Sequence, residues 1–102
     1  MLTLNFIEMI LEVLTPDEVR VEVNVTQVIL PGLDGSFVIL NSHAPLISAL
    51  SKGAVKVDQI TAENKSFKGR LNIENKANNS FTFNINGGVV EVNDNKILVL
   101  AE

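Results

Sequence analysis

The sequence predicts an all-β fold, an antiparallel β-sandwich of about ten short strands. Residues 19–28 read Val-Arg-Val-Glu-Val-Asn-Val-Thr-Gln-Val, the period-2 run of β-branched residues that a half-buried strand needs. Val89-Val90-Glu91-Val92 and Lys96-Ile97-Leu98-Val99-Leu100 flank Asn93-Asp94-Asn95. Asn and Asp tolerate the left-handed backbone of a tight hairpin, so these two runs read as a pair. Turn signals separate the remaining apolar runs at short intervals, and no repeat or linker divides residues 1–102; one domain is expected.

The elements follow in order. Leu2, Phe6, Met9 or Ile10, and Val13 sit at helical spacing, so a turn or two of helix competes for the start, and Met9 is an alternative initiator. Residues 1–8 read as an N-terminal extension. A strand over 10–14 is stopped by Thr15-Pro16-Asp17, because proline has no N–H to continue a ladder and turn-forming residues follow it. In the next strand Val19, Val21, Val23 and Val25 share one face, and Arg20, Glu22 and Asn24 face water. Pro31-Gly32 and Asp34-Gly35 each read as a turn, since Pro presets φ and Gly accepts φ > 0. A short apolar strand, 37–40, leads to a corner at His43-Ala44-Pro45. Over 54–60, Val55 and Val57 oppose Lys56 and Asp58, and 71–73 and 81–85 repeat the alternation. The polar stretches 61–69 and 74–80 read as hairpin loops. Gly87-Gly88 marks a turn or a close backbone approach.

Composition limits the chemistry. Hydrophobic residues at 46% and charged residues at 20% fit a folded domain. The net charge of −4, with lysines scattered, argues against nucleic acid, which needs clustered cations. Cysteine is absent, excluding disulfides, thiolate catalysis and Cys-bound metal. No apolar run reaches the roughly 18 to 20 residues of a membrane span. Glu8 and Glu12 interrupt the apolar start and no basic residue precedes them, which rules against a secretory signal. The simplest expectation is a soluble cytoplasmic protein, and the three Asn-x-Ser/Thr matches at Asn24, Asn64 and Asn78 are then compositional.

No catalytic constellation emerges. His43 is the single histidine and has no Ser or Cys partner at a recognisable elbow,. The acids Asp17, Glu18, Asp34, Asp58, Glu63, Glu74, Glu91 and Asp94 are spread through turns and outward positions. Asp34 reads as a turn-capping residue, a projecting contact, or both. Gly32 and Gly35 lack the Gly-Lys-Ser/Thr and following helix of a phosphate loop. No metal or cofactor is expected. Leu33, at a turn tip, is a candidate contact residue. A docking module fits these features better than an enzyme.

Several segments in register resemble the epsilon subunit of F-type ATP synthases. Leu11-Glu12-Val13-Leu14-Thr15-Pro16-Asp17 is similar to that family's opening strand and Thr-Pro-Glu turn. Leu30-Pro31-Gly32-Leu33-Asp34-Gly35-Ser36-Phe37 resembles its Leu-Pro-Gly-x-Glu-Gly-x-Phe loop, and His43-Ala44-Pro45-Leu46 its His-Ala-Pro-Leu corner. Lys52-Gly53-Ala54-Val55-Lys56-Val57 looks like the next strand; Gly87-Gly88-Val89-Val90-Glu91-Val92, Asn95-Lys96 and Val99-Leu100-Ala101-Glu102 look like the closing hairpin. The chain departs from the pattern at Val38, where Gly is common, and at Ser36, where an acid is frequent. Residues 59–80 are longer than usual, and residues 1–8 are additional.

The resemblance implies the family's N-terminal β-sandwich, in a short form or a fragment, without the C-terminal helical hairpin that senses ATP and inhibits rotation in many members. It implies a non-catalytic rotor subunit in the central stalk, bound to the gamma subunit and the c-ring. Such a subunit is peripheral to the cytoplasmic face of the inner (plasma) membrane. Carried onto this chain, Leu33, Asp34 and Ser36 would face the ring, and Thr15, His43 and Ser48 would face gamma. Pro31, Gly32, Gly35, Pro45, Gly87 and Gly88 would shape the turns. Two other readings stand beside it: a free-standing β-sandwich adaptor or ligand-binding module, and a small hydrolase using His43 and Asp34 in a concave pocket.

Overall fold

The computed structural model describes residues 9–16, 20–40, 43–59, 65–68, 73–74 and 80–102. The helix-or-strand question over residues 1–8, the positions Asp17 to Val19, and Leu71-Asn72 lie outside them. The described elements are all strands: β1 (Met9–Leu14), β2 (Arg20–Gly32), β3 (Gly35–Leu40), β4 (Leu46–Leu50), β5 (Gly53–Gln59), β6 (Lys65–Lys68), β7 (Ile73–Glu74), β8 (Ser80–Ile85), β9 (Gly88–Asn93) and β10 (Lys96–Ala101).

The length of β2 organises the sandwich. Its first half pairs with β1 on one edge and β6 on the other; its second half pairs with β5 and β3. One layer therefore runs β6-β2-β1-β10-β9-β4, the other β3-β2-β5-β8-β7, with β2 common to both. A bulge makes the crossing. Val25 pairs with Gln59 and Gln27 with Asp58, so Thr26 is the extra residue, and a bulge bends its strand. It also reverses parity: Val21, Val23 and Val25 point inward before it, Val28 and Leu30 after it. Thr26 Oγ1 donates to the Asp58 carbonyl at 3.3 Å and Gln27 Nε2 to Asp58 Oδ2 at 2.6 Å, bracing the bend.

Cross-strand registers place buried residues opposite one another. Leu11 faces Val23 and Ile97, and Val13 faces Val21 and Val99. Val57 lies between Val28 and Phe81, and Val55 faces Phe83. The Phe81 and Phe83 rings are stacked with centroids 6.2 Å apart. This aliphatic and phenylalanine core is the main stabilising element.

Three expectations need correction. Pro31 and Gly32 are not a turn but the end of β2, opposite Ser36 and Gly35; a proline is admissible at a strand end where its missing N–H breaks no ladder. The stretch 61–69 is not all loop, because Lys65–Lys68 pairs with Arg20 to Val23; the open edge of so long a β2 requires hydrogen-bond partners. And the sandwich is not wholly antiparallel, since β1 pairs with β10 in parallel. The closing hairpin is tighter than drawn from sequence. Its turn is Asp94-Asn95 alone, with φ of 49° and 59°, the two left-handed residues that a type I′ turn demands.

Candidate docking surfaces

The tip of the β2–β3 hairpin is built by Gly32, Leu33, Asp34 and Gly35. Leu33 and Asp34 bridge the strands, and Gly35 leaves the turn with φ +121°, a conformation open to a residue without Cβ. Leu33 is 68% exposed, a large apolar side chain held at the apex. Asp34 and Ser36 are exposed beside it. Beneath them opens a shallow groove of about 370 Å³ whose far wall is Ser48 and Ala49. The groove thus joins the three positions assigned by resemblance to the ring with one assigned to gamma.

Ser51 stiffens the base of this tip. Its N–H donates to the Pro31 carbonyl at 2.8 Å. Its hydroxyl lies 3.2 Å from the Gly32 carbonyl and 3.3 Å from that of Pro31, sharing one proton between them. Ser51→Ala is expected to destabilise the domain by about 1 kcal/mol, the usual worth of a neutral hydrogen bond, read as a lower urea midpoint at unchanged slope.

The other assigned positions lie elsewhere. His43 is exposed, with Nδ1 donating to the Ala44 carbonyl at 2.7 Å, while its backbone N–H donates to Leu40 O at 3.2 Å. The chain runs out along β3 to this corner and back along β4 to Gly32. The length of β3 therefore separates His43 from Asp34 by about 17 Å, at the usual strand rise. A His43–Asp34 hydrolytic pair is not assembled. Pro45, also exposed, sets the entry to β4. Thr15 is half-buried just past β1. Among the described residues no three His, Asp or Glu side chains gather as metal ligands.

A second surface went unforeseen. On the outward side of the β4-β9-β10-β1 layer, Ala49, Val89, Leu100 and Leu14 stand opposite one another in a row. Ile47, 72% exposed, stands on β4 beside that row, and Leu100 and Val89 are 49% and 42% exposed. The next row carries Glu91, Leu98 and Glu12, and Glu12 meets Lys96 Nζ at 3.8 Å. Thr15 follows Leu14 at one end of this face, whereas Ser48, between the outward Ile47 and Ala49, has the opposite parity and pairs with buried Val90. The signal was present in the sequence. Leu46-Ile47-Ser48-Ala49-Leu50 and Ile97-Leu98-Val99-Leu100 are apolar at both parities, the pattern of a strand covered on both sides. Val38 and Leu40 add exposed apolar side chains on β3, in the other layer.

Residues 8–68 match the family described as ATP synthase, Delta/Epsilon chain, beta-sandwich domain. Over 92 residues the chain is 39% identical to the ATP synthase epsilon chain of Chlorobium limicola, covering 90% of this chain and 86% of that one. Among solved structures it is similar to a chain of the Tetrahymena thermophila mitochondrial ATP synthase central stalk and c-ring, with TM-score 0.59 and 20% identity over 91% of this chain and 62% of that one. A chain of the Euglena gracilis mitochondrial ATP synthase, in a structure of OSCP, F1 and c-ring, gives TM-score 0.68 at 16% identity, covering 97% of this chain and 53% of its own. Identities of 20% and 16% speak for the fold alone. The family rests on the 39% relative and the match over residues 8–68, and by these the chain belongs to the ATP synthase epsilon chains.

Proposed function

We propose that this chain serves in the rotor of an F-type ATP synthase, docking the gamma subunit onto the membrane c-ring and so helping to couple rotation to ATP synthesis. An epsilon chain is a non-catalytic subunit of that membrane-associated complex. The observation that carries the docking reading is the outward apolar row through Ala49, Val89 and Leu100, with Ile47 beside it. In this reading gamma covers that row, with Thr15 at one end and His43 at the corner before β4, and reaches Ser48 from the groove side of β4. Leu33, Asp34 and Ser36 meet polar loops of the c-ring. The chain then lies peripherally on the cytoplasmic side; among the described residues no helix is long and apolar enough to cross a membrane.

Physical chemistry supports this division. An apolar row on a hydrogen-bonded layer presents its side chains at little ordering cost, so association keeps more of the burial free energy. A tight two-residue tip likewise arrives already shaped. The direct test is co-elution with the gamma subunit from the same genome in size-exclusion chromatography. Wild type is expected to form a stoichiometric complex. Ile47→Lys is expected to weaken it by roughly a hundredfold, the loss typical of a central anchor, without lowering the melting temperature of the free chain. A variant binding as tightly as wild type would remove the row from the interface. A folded wild type that binds no gamma would favour a free-standing adaptor.

A further inference from the structure

We propose that Asn86 is a modification site, at which the chain converts spontaneously to aspartate and isoaspartate through a cyclic imide formed with Gly87. Asn86-Gly87 is the sole Asn-Gly pair in the sequence; every other asparagine precedes a residue with a side chain. That difference matters because the attacking group is the backbone nitrogen of the following residue, and a Cβ there crowds the approach.

The fold leaves this pair outside its ladders. Asn86 is exposed in the bend between Ile85, the end of β8, and Gly88, the start of β9. Two hydrogen bonds hold the bend: Asn86 N–H to Glu102 O at 3.3 Å, and Glu102 N–H to Gly87 O at 2.9 Å. Neither uses the Gly87 N–H. Asn84, by contrast, lies within β8, opposite Ala54. Asn93 ends β9, and Asn95 is fixed in the Asp94-Asn95 turn.

In the reaction, hydroxide from the mildly alkaline medium takes the proton of the nitrogen of Gly87, which is buried next to exposed Asn86, and that nitrogen attacks Asn86 Cγ. The Cγ–N bond breaks and ammonia leaves, closing a five-membered imide. Water then opens either imide carbonyl, so the sum is asparagine plus water giving aspartate or isoaspartate plus ammonia. Isoaspartate routes the main chain through the former side chain, adding a methylene between residue 86 and Gly87. The added methylene falls where the backbone is already held: the Glu102 N–H binds the Gly87 carbonyl at 2.9 Å, and the next residue, Gly88, lies so close to β10 that a Cβ on it would overlap the Leu100 carbonyl oxygen.

The test ages the purified full chain in mildly alkaline buffer and maps its peptides by mass spectrometry, with isoaspartate methyltransferase to label the rearranged product. The expected result is a gain of about one dalton at Asn86 ahead of every other asparagine, with isoaspartate present. The modified fraction should melt below both fresh protein and Asn86→Asp, which carries the new charge without the extra methylene. An intact Asn86 in folded protein, under conditions that modify it in the urea-unfolded chain, would overturn the proposal. So would earlier modification at Asn93 or Asn95. An isoaspartate form that melts with Asn86→Asp would overturn the structural consequence.

Discussion

Val57→Asp is expected to abolish folding, giving the circular dichroism of an unfolded chain under conditions where wild type melts cooperatively. Val57 is fully buried between Val28 of β2 and Phe81 of β8. A carboxylate there meets aliphatic and aromatic carbon in place of water. Burying an uncompensated charge costs several kcal/mol, and the whole stability of a domain this size is about 5–15 kcal/mol. Melting within a few degrees of wild type would mean that the core is far looser than its burial implies. Asp34→Ala is the matched contrast. Asp34 is exposed at the hairpin tip, so its loss should change stability by no more than about 0.5 kcal/mol while weakening attachment to the ring. Equal melting losses for the two variants would remove Asp34 as a contact residue.

Gly88→Ala is expected to destabilise by about 3 kcal/mol or more, the upper range for strain at a single backbone position. Gly88 has φ +149°, and a Cβ built on it would overlap the carbonyl oxygen of Leu100 and stand 3.1 Å from Ala101 Cα. Both obstacles are backbone of the paired strand β10, so no side-chain rotation relieves them. For a domain of this length, 3 kcal/mol corresponds to roughly 12–24 °C in melting temperature. Gly35→Ala separates the causes. Gly35 also has a left-handed φ, +121°, but nothing lies within 4 Å of its Cβ position. Calorimetry should show a distinctly smaller loss at Gly35. Equal losses would assign the effect at Gly88 to φ alone.

What the sequence disclosed was local. The inward face of Val21, Val23 and Val25 and the left-handed Asp94-Asn95 turn follow from neighbours a few residues apart. What it concealed was long-range. The parity change at Thr26 has its cause in the pairing of β2 with Gln59 and Asp58, which no window around Thr26 contains. Lys65–Lys68 became a strand because β2 offered it an edge, although its composition is that of a loop. The docking surfaces divide in the same way. Leu33 and Asp34 could be picked out as a turn tip, but their sharing a groove with Ser48 depends on the return of β4 to Gly32. The row through Ala49, Val89 and Leu100 needed the strand order β4-β9-β10, although the apolar parities were already written in those strands.

The parallel ladder between β1 and β10 constrains the order of assembly. Ile10 pairs with Lys96 and Leu14 with Leu100, contacts between opposite ends of the described chain. No hairpin can nucleate them, since parallel neighbours are never joined by a tight turn. During synthesis β1 can pair with β2 early, but its second edge must wait until β10 has left the ribosome. Until then the apolar side chains of β1, Leu11 and Val13, lack their partners Ile97 and Val99. The domain thus belongs among the slow folders governed by loop closure, on the millisecond-to-second scale of all-β topologies, and its last strand completes the first.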